Sequence, residues 1–238
     1  MKILITGSAG AIGTTLVKGM KDRYSLRGFD CVPTPDLDDS IVGDIGDFDA
    51  VVNAAEGVDA VIHLANAESL PVGERAQTAG GEDSLPSKNF VGMFNVLEAA
   101  RRHDVRRIAY ASRAGLLSPY PQNITRTIDM MPQPQSYYSV SKAFGESLGY
   151  MYSSQFDIEF VAVRIGNFNR DRPLPEHPHQ LSHADAVRVF ERAVIHPGVK
   201  FEIVFGVSDS TWNLYDLEHG RRVLGYHPQN KSEIEPEV

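Results

Sequence analysis

Residues 2–13 read KILITGSAGAIG, an apolar run followed by three glycines that are three residues apart. The run Lys2–Thr6 predicts a buried strand, and the residues from about Ile12 to Arg23 have the period of a helix. Three glycines between a strand and a helix are typical of a loop that binds the pyrophosphate of a dinucleotide. The stretch therefore predicts the first strand–turn–helix unit of a nucleotide-binding α/β fold.

The three glycines of this loop have separate roles in such a site. Gly7 permits a tight turn, Gly10 lets the backbone approach the phosphates, and Gly13 allows the helix to pack closely on the strand. The N-terminus of the helix then favours the negative charge of the phosphates. The residues expected along the nucleotide are Gly7, Ala9, Gly10, Ala11, Ile12 and Gly13.

An acidic residue follows the loop at the position where it would meet the ribose. The second strand is expected at Ser25–Asp30, which puts Asp30 at its end, 17 residues after Gly13. A carboxylate there accepts hydrogen bonds from the ribose hydroxyls and repels a 2′-phosphate. Since no arginine follows to accommodate NADP, NAD is the expected cofactor. Asp44, at the end of a third strand over Ile41–Asp44, either meets the adenine or caps a turn.

Apolar runs and helical segments continue to alternate along the chain. Further strands are expected at Val58–Ala65, Arg107–Ser112, Glu159–Gly166 and Phe201–Gly206. Helices are expected around Phe90–Ala100, over about Gln135–Ser153, and from Ser182, where Asp185 completes a capping-box pattern. The alternation predicts an α/β fold: a Rossmann-type, doubly wound parallel sheet with helices on both faces, in a single domain over residues 1–238.

Two irregular segments follow the ends of predicted strands. Asn66–Ser87 is rich in Gly, Pro, Glu and Ser, and Asn169–Gln180 contains three prolines and two histidines. Ligands of open α/β sheets bind at the carboxyl ends of the strands. We therefore expect substrate to be bound mainly by residues 66–88 and by a small C-terminal portion, residues 167–238.

A tyrosine and a lysine are spaced for acid–base chemistry on the helix expected at Gln135–Ser153. Tyr138 and Lys142 are four residues apart, so their side chains lie on one face of the helix, one turn apart. A buried ammonium beside a phenol favours the phenolate, which can act as a general base near neutral pH. Beside a dinucleotide site the pair predicts redox chemistry on a nicotinamide cofactor. The alternative is an exposed helical pair without a role.

The composition narrows the possible partners and compartments. A net charge of −8 over 238 residues argues against a nucleic-acid surface, which would carry an excess of positive charge. No apolar run approaches the roughly 20 residues that span a bilayer, so no membrane contact is expected. The single cysteine, Cys31, excludes an internal disulfide and fits a reducing cytoplasm. No common zinc spacing is present, so no metal is expected; His177, His179 and His183 either touch substrate or lie in solvent.

Taken in order, the motifs resemble the short-chain dehydrogenase/reductase superfamily in its extended and atypical branches, which include an epimerase/dehydratase family. The motifs are T-G-x-x-G-x-I-G at 6–13, G-D-I at 43–45, H-L-A at 63–65, Asn89, and Y-x-x-x-K at 138–142. Later stretches are similar to uronate dehydrogenases and related NAD-dependent sugar dehydrogenases. These stretches are Tyr137–Gly149, Arg164–Asn167, Leu181–Ser182, Ile203–Asp209 and Val223–Gln229.

The resemblance implies that the protein oxidises the anomeric hydroxyl of a sugar-like small molecule to a lactone and passes the hydride to NAD. Tyr138 would take the hydroxyl proton, and Lys142 would hold the nicotinamide ribose and lower the pKa of the tyrosine. Asn89 would support the active site or form a structural hydrogen bond between helices. A homodimer through these helices is also implied, with Gly145 and Gly149 permitting close approach. The other residues implied at the cofactor are Ile45, Leu64, Ala65, Asn66 and Ile165.

The sequence departs from this family where the substrate would bind. The catalytic serine of the family falls on Arg113, which either supplies a charged hydrogen-bond donor or impairs Lys142. Ser112 lies one place earlier and would serve only with a shift of register or a bulge, because strand side chains alternate between faces. The other candidate substrate-binding residues, each out of step with the family pattern, are Glu68, Asn167, Arg170 and Arg172.

The leading hypothesis is an NAD-dependent oxidoreductase with a changed substrate pocket, in which Tyr138, Lys142, Ser112 and Arg113 are the candidate catalytic residues. Glu68 would repel a uronate carboxylate, so a plain uronate is less expected than another sugar. One alternative is an NAD-binding protein whose turnover is impaired because Arg113 replaces the serine. Another is a sugar epimerase or dehydratase that keeps NAD bound and returns the hydride.

Overall fold

The computed structural model describes residues 1–67 and 85–233, and seven of its strands form one parallel sheet. They are β1 (Lys2–Thr6), β2 (Ser25–Asp30), β3 (Ser40–Val42), β4 (Ala60–His63), β5 (Arg107–Arg113), β6 (Glu159–Ile165) and β7 (Phe201–Gly206). Their spatial order is β3-β2-β1-β4-β5-β6-β7. The order reverses beside β1, which is the switch point of a doubly wound sheet and opens a crevice at the carboxyl ends of β1 and β4. The predicted Rossmann-type fold is thus confirmed. A separate parallel pair is formed by β8 (Asp209–Ser210) and β9 (Lys231–Ser232).

Helices cover both faces of the seven-stranded sheet. They are α1 (Ala11–Met20), α2 (Phe48–Ala55), α3 (Leu85–Arg102), α4 (Tyr137–Phe156), α5 (His183–Ile195) and α6 (Glu218–Leu224). Leu16 of α1 and Phe190 of α5 belong to the core on one face, and Val51, Leu97 and Tyr152 of α2, α3 and α4 belong to the core on the other. Within the two described ranges, none of the helices has the length and hydropathy of a transmembrane segment.

Most predicted elements lie close to their observed bounds. β1, β2 and β7 begin and end where the apolar runs predicted them. β4 is shorter than the predicted Val58–Ala65, because both neighbouring strands pair with it only over Ala60–His63. The sequence pattern did not indicate α2, which begins after Asp47, whose side chain accepts a hydrogen bond of 3.1 Å from the amide of Ala50.

The N-terminus of α5 anchors the C-terminal part of the chain. Ser182 Oγ accepts a hydrogen bond of 3.1 Å from the amide of Asp185, as the capping-box pattern predicted. The Asp185 carboxylate is fully buried and does not reach back to the cap. It accepts hydrogen bonds from Ser208 Oγ at 2.6 Å and from the amides of Gln229 and Asn230 at 2.9 and 3.1 Å. These bonds hold the residues just before β8 and just before β9 against α5.

Two glycines bring α4 close to the sheet. A Cβ atom at Gly145 would lie 2.4 Å from the ring of Tyr110, and one at Gly149 would lie 2.3 Å from the ring of Phe160. Both glycines therefore face β5 and β6. The prediction that they permit close approach of helices in a dimer is wrong, because the space they leave is filled by aromatic rings of the same chain.

Candidate active site

A cleft of about 1180 Å³ opens at the carboxyl ends of the central strands. The glycine loop after β1 and Asp30 at the end of β2 line one part of it. Arg113 at the end of β5, together with Tyr138 and Lys142 of α4, lines another part. The cleft thus brings together the two motifs from which the function was predicted, although they are far apart in the sequence.

The glycines of the loop are fixed by contact and by backbone conformation. Gly7 has a φ of +73°, and a Cβ there would lie 2.7 Å from the amide nitrogen of Ala65. A Cβ at Gly13 would lie 2.2 Å from the carbonyl oxygen of Gly7, so a larger residue cannot pack there. At Gly10 a Cβ would meet only that same oxygen, at 3.1 Å. The backbone at Gly10 therefore leaves room on the cleft side for a phosphate group, which fits a bound dinucleotide.

Two aspartates lie beside the loop, and each accepts a hydrogen bond from a backbone amide of the chain. Asp30 Oδ2 accepts a hydrogen bond of 2.9 Å from the amide of Ala9, so it orients the glycine loop as well as lining the cleft. Asp44 Oδ1 accepts from the amide of Gly46 at 2.8 Å, and its other oxygen lies 2.5 Å from Lys88 Nζ. The hydrogen bond from Lys88 lowers the pKa of Asp44 below its usual value. Asp44 thus caps a turn, which confirms one of the two alternatives; because it also lines the cleft, its contact with the adenine stays a prediction.

Most of the other residues predicted at the cofactor line the same cleft. They are Ala9, Ala11, Ile12, Ile45, Leu64, Ala65, Asn66 and Ile165. Asn89 is not among the lining residues. Its Oδ1 accepts a hydrogen bond of 2.7 Å from the amide of Ala67, so it fixes the backbone just after β4 rather than bridging two helices.

The catalytic candidates of α4 lie at the start of that helix. Ser136 caps it by accepting a hydrogen bond of 3.1 Å from the amide of Ser139. Lys142 Nζ lies 5.3 Å from the ring centre of Tyr138 and 5.1 Å from the ring centre of Tyr110. Burial lowers the pKa of Lys142 to about 7, and the charge of Arg113 lowers it as well.

Arg113 lies beside Tyr138, at the place where the family resemblance predicts the catalytic serine. Its guanidinium carbon lies 5.2 Å from the ring centre of Tyr138, and its Nη1 donates a hydrogen bond of 3.2 Å to Ser139 Oγ. Gly115 makes this placement possible, because a Cβ there would lie only 2.3 Å from Arg113 Nη2. The guanidinium therefore lies directly over the glycine.

The pKa of Tyr138 differs from the expectation. Burial raises it above its ordinary value, and the cation that lowers it is Arg113. The sequence predicted that Lys142 would do this. Lys142 is buried and lies close to a second cation, which lowers its own pKa. Arg113 is therefore the cation that lowers the pKa of the Tyr138 phenol.

The side chain of Ser112 points away from this group. β5 and β6 pair in continuous register to Arg113↔Ile165, without the bulge that would redirect Ser112. Its hydroxyl lies 2.6 Å from Glu146 Oε1, and that carboxylate forms a buried ion pair with Arg164. Ser112 is among the residues that line the cleft, but its hydroxyl donates to Glu146 inside the structure, so the catalytic role of Ser112 remains a prediction that this hydrogen bond does not favour.

The remaining substrate candidates divide into three groups. Asn167 and Arg170 line the cleft. Arg172 does not; it forms an ion pair with Glu176, which accounts for its charge without a ligand. Glu68 lies outside the described residues.

Several more residues line the cleft. Lys88, Phe168, His179 and Tyr215 lie in the two segments that were expected to bind substrate, whereas Ser118, Gln122 and Arg126 were not predicted from the sequence as cleft residues. Arg126 could not be found from a motif. The backbone brings it to the cleft, since its amide donates to the carbonyl of Leu214 at 2.9 Å and its carbonyl accepts from the amide of Asp216 at 2.9 Å.

Comparison with known proteins agrees with this arrangement. Residues 3–184 match the model of the NAD dependent epimerase/dehydratase family. The NAD-dependent glucose-6-phosphate dehydrogenase of Haloferax volcanii is 34% identical, over 97% of this chain and 94% of that protein. The uronate dehydrogenase of Pseudomonas putida is also 34% identical, over 98% of this chain and 85% of its own length.

Solved structures give the same result. The crystal structure of uronate dehydrogenase from Agrobacterium tumefaciens superposes with a TM-score of 0.85 at 28% identity, covering 97% of this chain and 85% of that one. A mutant of that enzyme complexed with NAD superposes with a TM-score of 0.84. The resemblance to short-chain dehydrogenases is confirmed, and the chain belongs to the NAD dependent epimerase/dehydratase family.

Proposed function

We propose that the protein oxidises the anomeric hydroxyl of a sugar or sugar acid to a lactone, with NAD as the hydride acceptor. The observation that carries the proposal is that one cleft joins the glycine loop and Asp30 to Tyr138, Lys142 and Arg113. The named activities of relatives support it. They include a glucose-6-phosphate dehydrogenase, uronate dehydrogenases and an L-arabinose 1-dehydrogenase.

The residues of the chain divide the reaction between them. Bound NAD supplies the acceptor for the hydride. The Tyr138 phenolate accepts the proton of the substrate hydroxyl and becomes the neutral phenol, as the hydride leaves the same carbon for its acceptor. Lys142 faces the same space from one turn further along α4 and holds the nicotinamide ribose through its ammonium group. Asp30 holds the adenosine ribose, while its contact with Ala9 keeps the phosphate loop in place.

Arg113 replaces the serine of the family as the hydrogen-bond donor to the reacting oxygen of the substrate. Its charge lowers the pKa of Tyr138, so it favours the phenolate that accepts the proton. A charged donor beside the reacting oxygen also stabilises the alkoxide that develops there. The same charge lowers the pKa of Lys142, so the ammonium group loses its proton at a lower pH than it would without Arg113. Arg113 therefore supports one member of the pair and weakens the other.

Replacing Arg113 by serine should shift the pH range of NAD binding. Burial and the charge of Arg113 lower the pKa of Lys142 to about 7, so its ammonium fraction falls as the pH rises through that value. Without Arg113 the pKa rises, and the ammonium persists to higher pH. His63 does not interfere, because burial and the charge of Lys142 hold its pKa at about 3.

Calorimetric titration of NAD from pH 6 to 9 checks this prediction. We expect the alkaline loss of NAD affinity to move upward in Arg113→Ser. Arg106→Ser, with an exposed side chain just before β5, is the matched control and should keep the wild-type profile. Identical profiles in wild type and Arg113→Ser would contradict the coupling.

Appearance of NADH tests the proposed function. Purified protein and NAD are mixed with a panel of aldoses, uronates, sugar phosphates and sulfonated sugars, and absorbance at the NADH band is followed. Turnover of at least one sugar, with a lactone found by NMR, is the expected result. Silence over the whole panel in protein that binds NAD would reject sugar oxidation.

The same measurement separates the alternatives. An epimerase or dehydratase would carry tightly bound NAD and release no NADH. The lowered pKa of Lys142 beside Arg113 is the observation that favours a binding protein with impaired turnover. In that case Arg113→Ser would gain activity on uronates, whereas loss of an existing activity would show that Arg113 takes part in the reaction.

The protein is also proposed to work in the cytoplasm as a homodimer through α3 and α4. Val91 and Phe94 of α3 are 44% and 47% exposed, and Val140 and Met151 lie three turns apart on α4 with comparable exposure. The two helices pack together, and exposed apolar side chains on both of them favour a partner.

Phe94→Asp should convert a dimer to a monomer, because a carboxylate cannot be buried in an apolar interface without a counter-ion. Light scattering after size exclusion measures the mass. Leu174→Asp makes the same change at another exposed apolar residue and should leave the mass unchanged. A wild-type chain that runs as a monomer would contradict the dimer.

A further inference from the structure

Two arginines are buried among the described residues, and they differ in their counter-ions. Arg164 is 2% exposed and forms two contacts of 2.9 Å with Glu146. Arg126 is 4% exposed, and no carboxylate of residues 1–67 or 85–233 pairs with it. A buried charge is costly unless it is paired. Arg126 therefore marks a position where the described part of the chain lacks a negative charge.

The guanidinium of Arg126 is held in one orientation by neutral groups. Its Nε donates to the carbonyl of Leu117 at 3.2 Å, and its Nη2 donates to the carbonyl of Tyr120 at 3.0 Å. Its Nη1 has no hydrogen-bond partner in the part of the chain that the structure describes. Two of the three nitrogens thus fix the group, and the third remains as a donor without an acceptor.

Arg126 reaches the cleft together with Arg113. The guanidinium carbon of Arg126 lies 5.7 Å from the ring centre of Tyr215, and both residues line the cleft. Burial raises the pKa of the Tyr215 phenol, and the charges of Arg126 and Arg113 both lower it. Both cations therefore lie near the same phenol.

Cations outnumber acids along the cleft. Asp30 and Asp44 are the acidic residues among the described lining residues, and Asp44 is paired with Lys88, which lines the cleft as well. Arg113, Arg126 and Arg170 also line the cleft. The cleft is thus suited to a ligand with a negative charge.

We infer that Arg126, with Arg113, forms a subsite for an anionic group of the substrate, a carboxylate or a phosphate. The inference depends on the proposed function only in identifying the ligand as the substrate. Arg126 gives a charge-assisted hydrogen bond through Nη1, while its bonds to Leu117 and Tyr120 keep it oriented. Because Nη1 is buried and the guanidinium is held by two carbonyls, binding includes a shift of the Tyr215 ring, which lies against the guanidinium.

Binding of inorganic phosphate tests the subsite without any turnover. Calorimetry is done with saturating NAD, so that phosphate cannot occupy the glycine loop. We expect Arg126→Gln to weaken phosphate binding by about tenfold to a hundredfold, the usual range for a hydrogen bond to a charged group. Arg106→Gln removes the same charge at an exposed position outside the cleft and should bind phosphate as the wild type does. Equal affinity in wild type and Arg126→Gln would overturn the inference.

Three sugars that differ only at C6 identify the anion. Glucose, glucuronate and glucose 6-phosphate are titrated into Tyr138→Phe with NAD, so that bound sugar is not consumed. Tighter binding of glucuronate assigns a carboxylate, and tighter binding of the phosphate ester assigns a phosphate. If neither anion binds more tightly than glucose, the subsite is rejected.

A second variant covers the case in which Arg126→Gln fails to fold after losing its bonds to two carbonyls. Arg113→Gln leaves those bonds in place and should also weaken phosphate binding, by a smaller factor. Unchanged phosphate affinity in Arg113→Gln would remove Arg113 from the subsite. Phosphate binding that depends on Arg126 in a protein that oxidises no sugar would leave the subsite standing and reject the proposed function.

Discussion

Tyr138→Phe is expected to lower kcat by about 10²–10⁴-fold, the usual contribution of a positioned general base. The variant keeps the ring that lies close to both Arg113 and Lys142, and it removes only the phenol oxygen that accepts the proton as phenolate. NAD affinity should therefore change little. Initial rates of NADH formation and calorimetric titration of NAD measure the two effects separately.

The neighbouring residue gives a matched control. Tyr137 is the first residue of α4 and is 54% exposed, so Tyr137→Phe removes the same group one position away from the cleft. We expect this variant to keep wild-type activity. If Tyr138→Phe retained a rate within a few-fold of wild type while binding NAD normally, the assignment of the base would be wrong.

Glu146→Ala should reduce the free energy of unfolding by about 3–5 kcal/mol, the usual cost of leaving a buried ion unpaired. Arg164 would keep its charge at 2% exposure without a counter-ion, and the Ser112 hydroxyl would lose its acceptor. The pair joins α4 to β5 and β6 beneath the Tyr138–Lys142 turn, so the variant should also loosen the catalytic helix. Equilibrium denaturation with urea gives the free energy.

An exposed ion pair serves as the control for this experiment. Glu218 pairs with Arg221 on α6, and its side chain is 76% exposed. Glu218→Ala should cost at most about 1 kcal/mol, since water replaces the lost partner. A loss below that value in Glu146→Ala would mean that Arg164 finds another partner or becomes solvated, and that the buried pair does not hold α4.

The sequence was sufficient for those parts of the molecule that depend on local pattern. Alternation of apolar runs and helical periods predicted the order of strands and helices, because burial on one face imposes a period on each element. The glycine loop was also predictable, since Gly7 and Gly13 are required by contacts within one strand–turn–helix unit. Asp30 followed from its place at the end of β2.

The parts that were missed depend on contacts between distant segments. Arg126 lies in an irregular stretch and reaches the cleft because its backbone pairs with that of Leu214 and Asp216. No sequence pattern near Arg126 predicts that backbone pairing. Gly145 and Gly149 were assigned to the wrong neighbour for a similar reason, because spacing on a helix does not say which face meets the sheet. The pKa of Tyr138 depends on the burial of its ring and on the charge of Arg113, which spacing alone does not measure.

The position of Arg113 over Gly115 also couples these two positions during evolution. A Cβ at position 115 would lie 2.3 Å from Nη2, so any side chain there would push the guanidinium away from Tyr138 and Ser139. Selection for the present place of the arginine is therefore also selection for glycine at position 115. A change at position 113 would release that constraint.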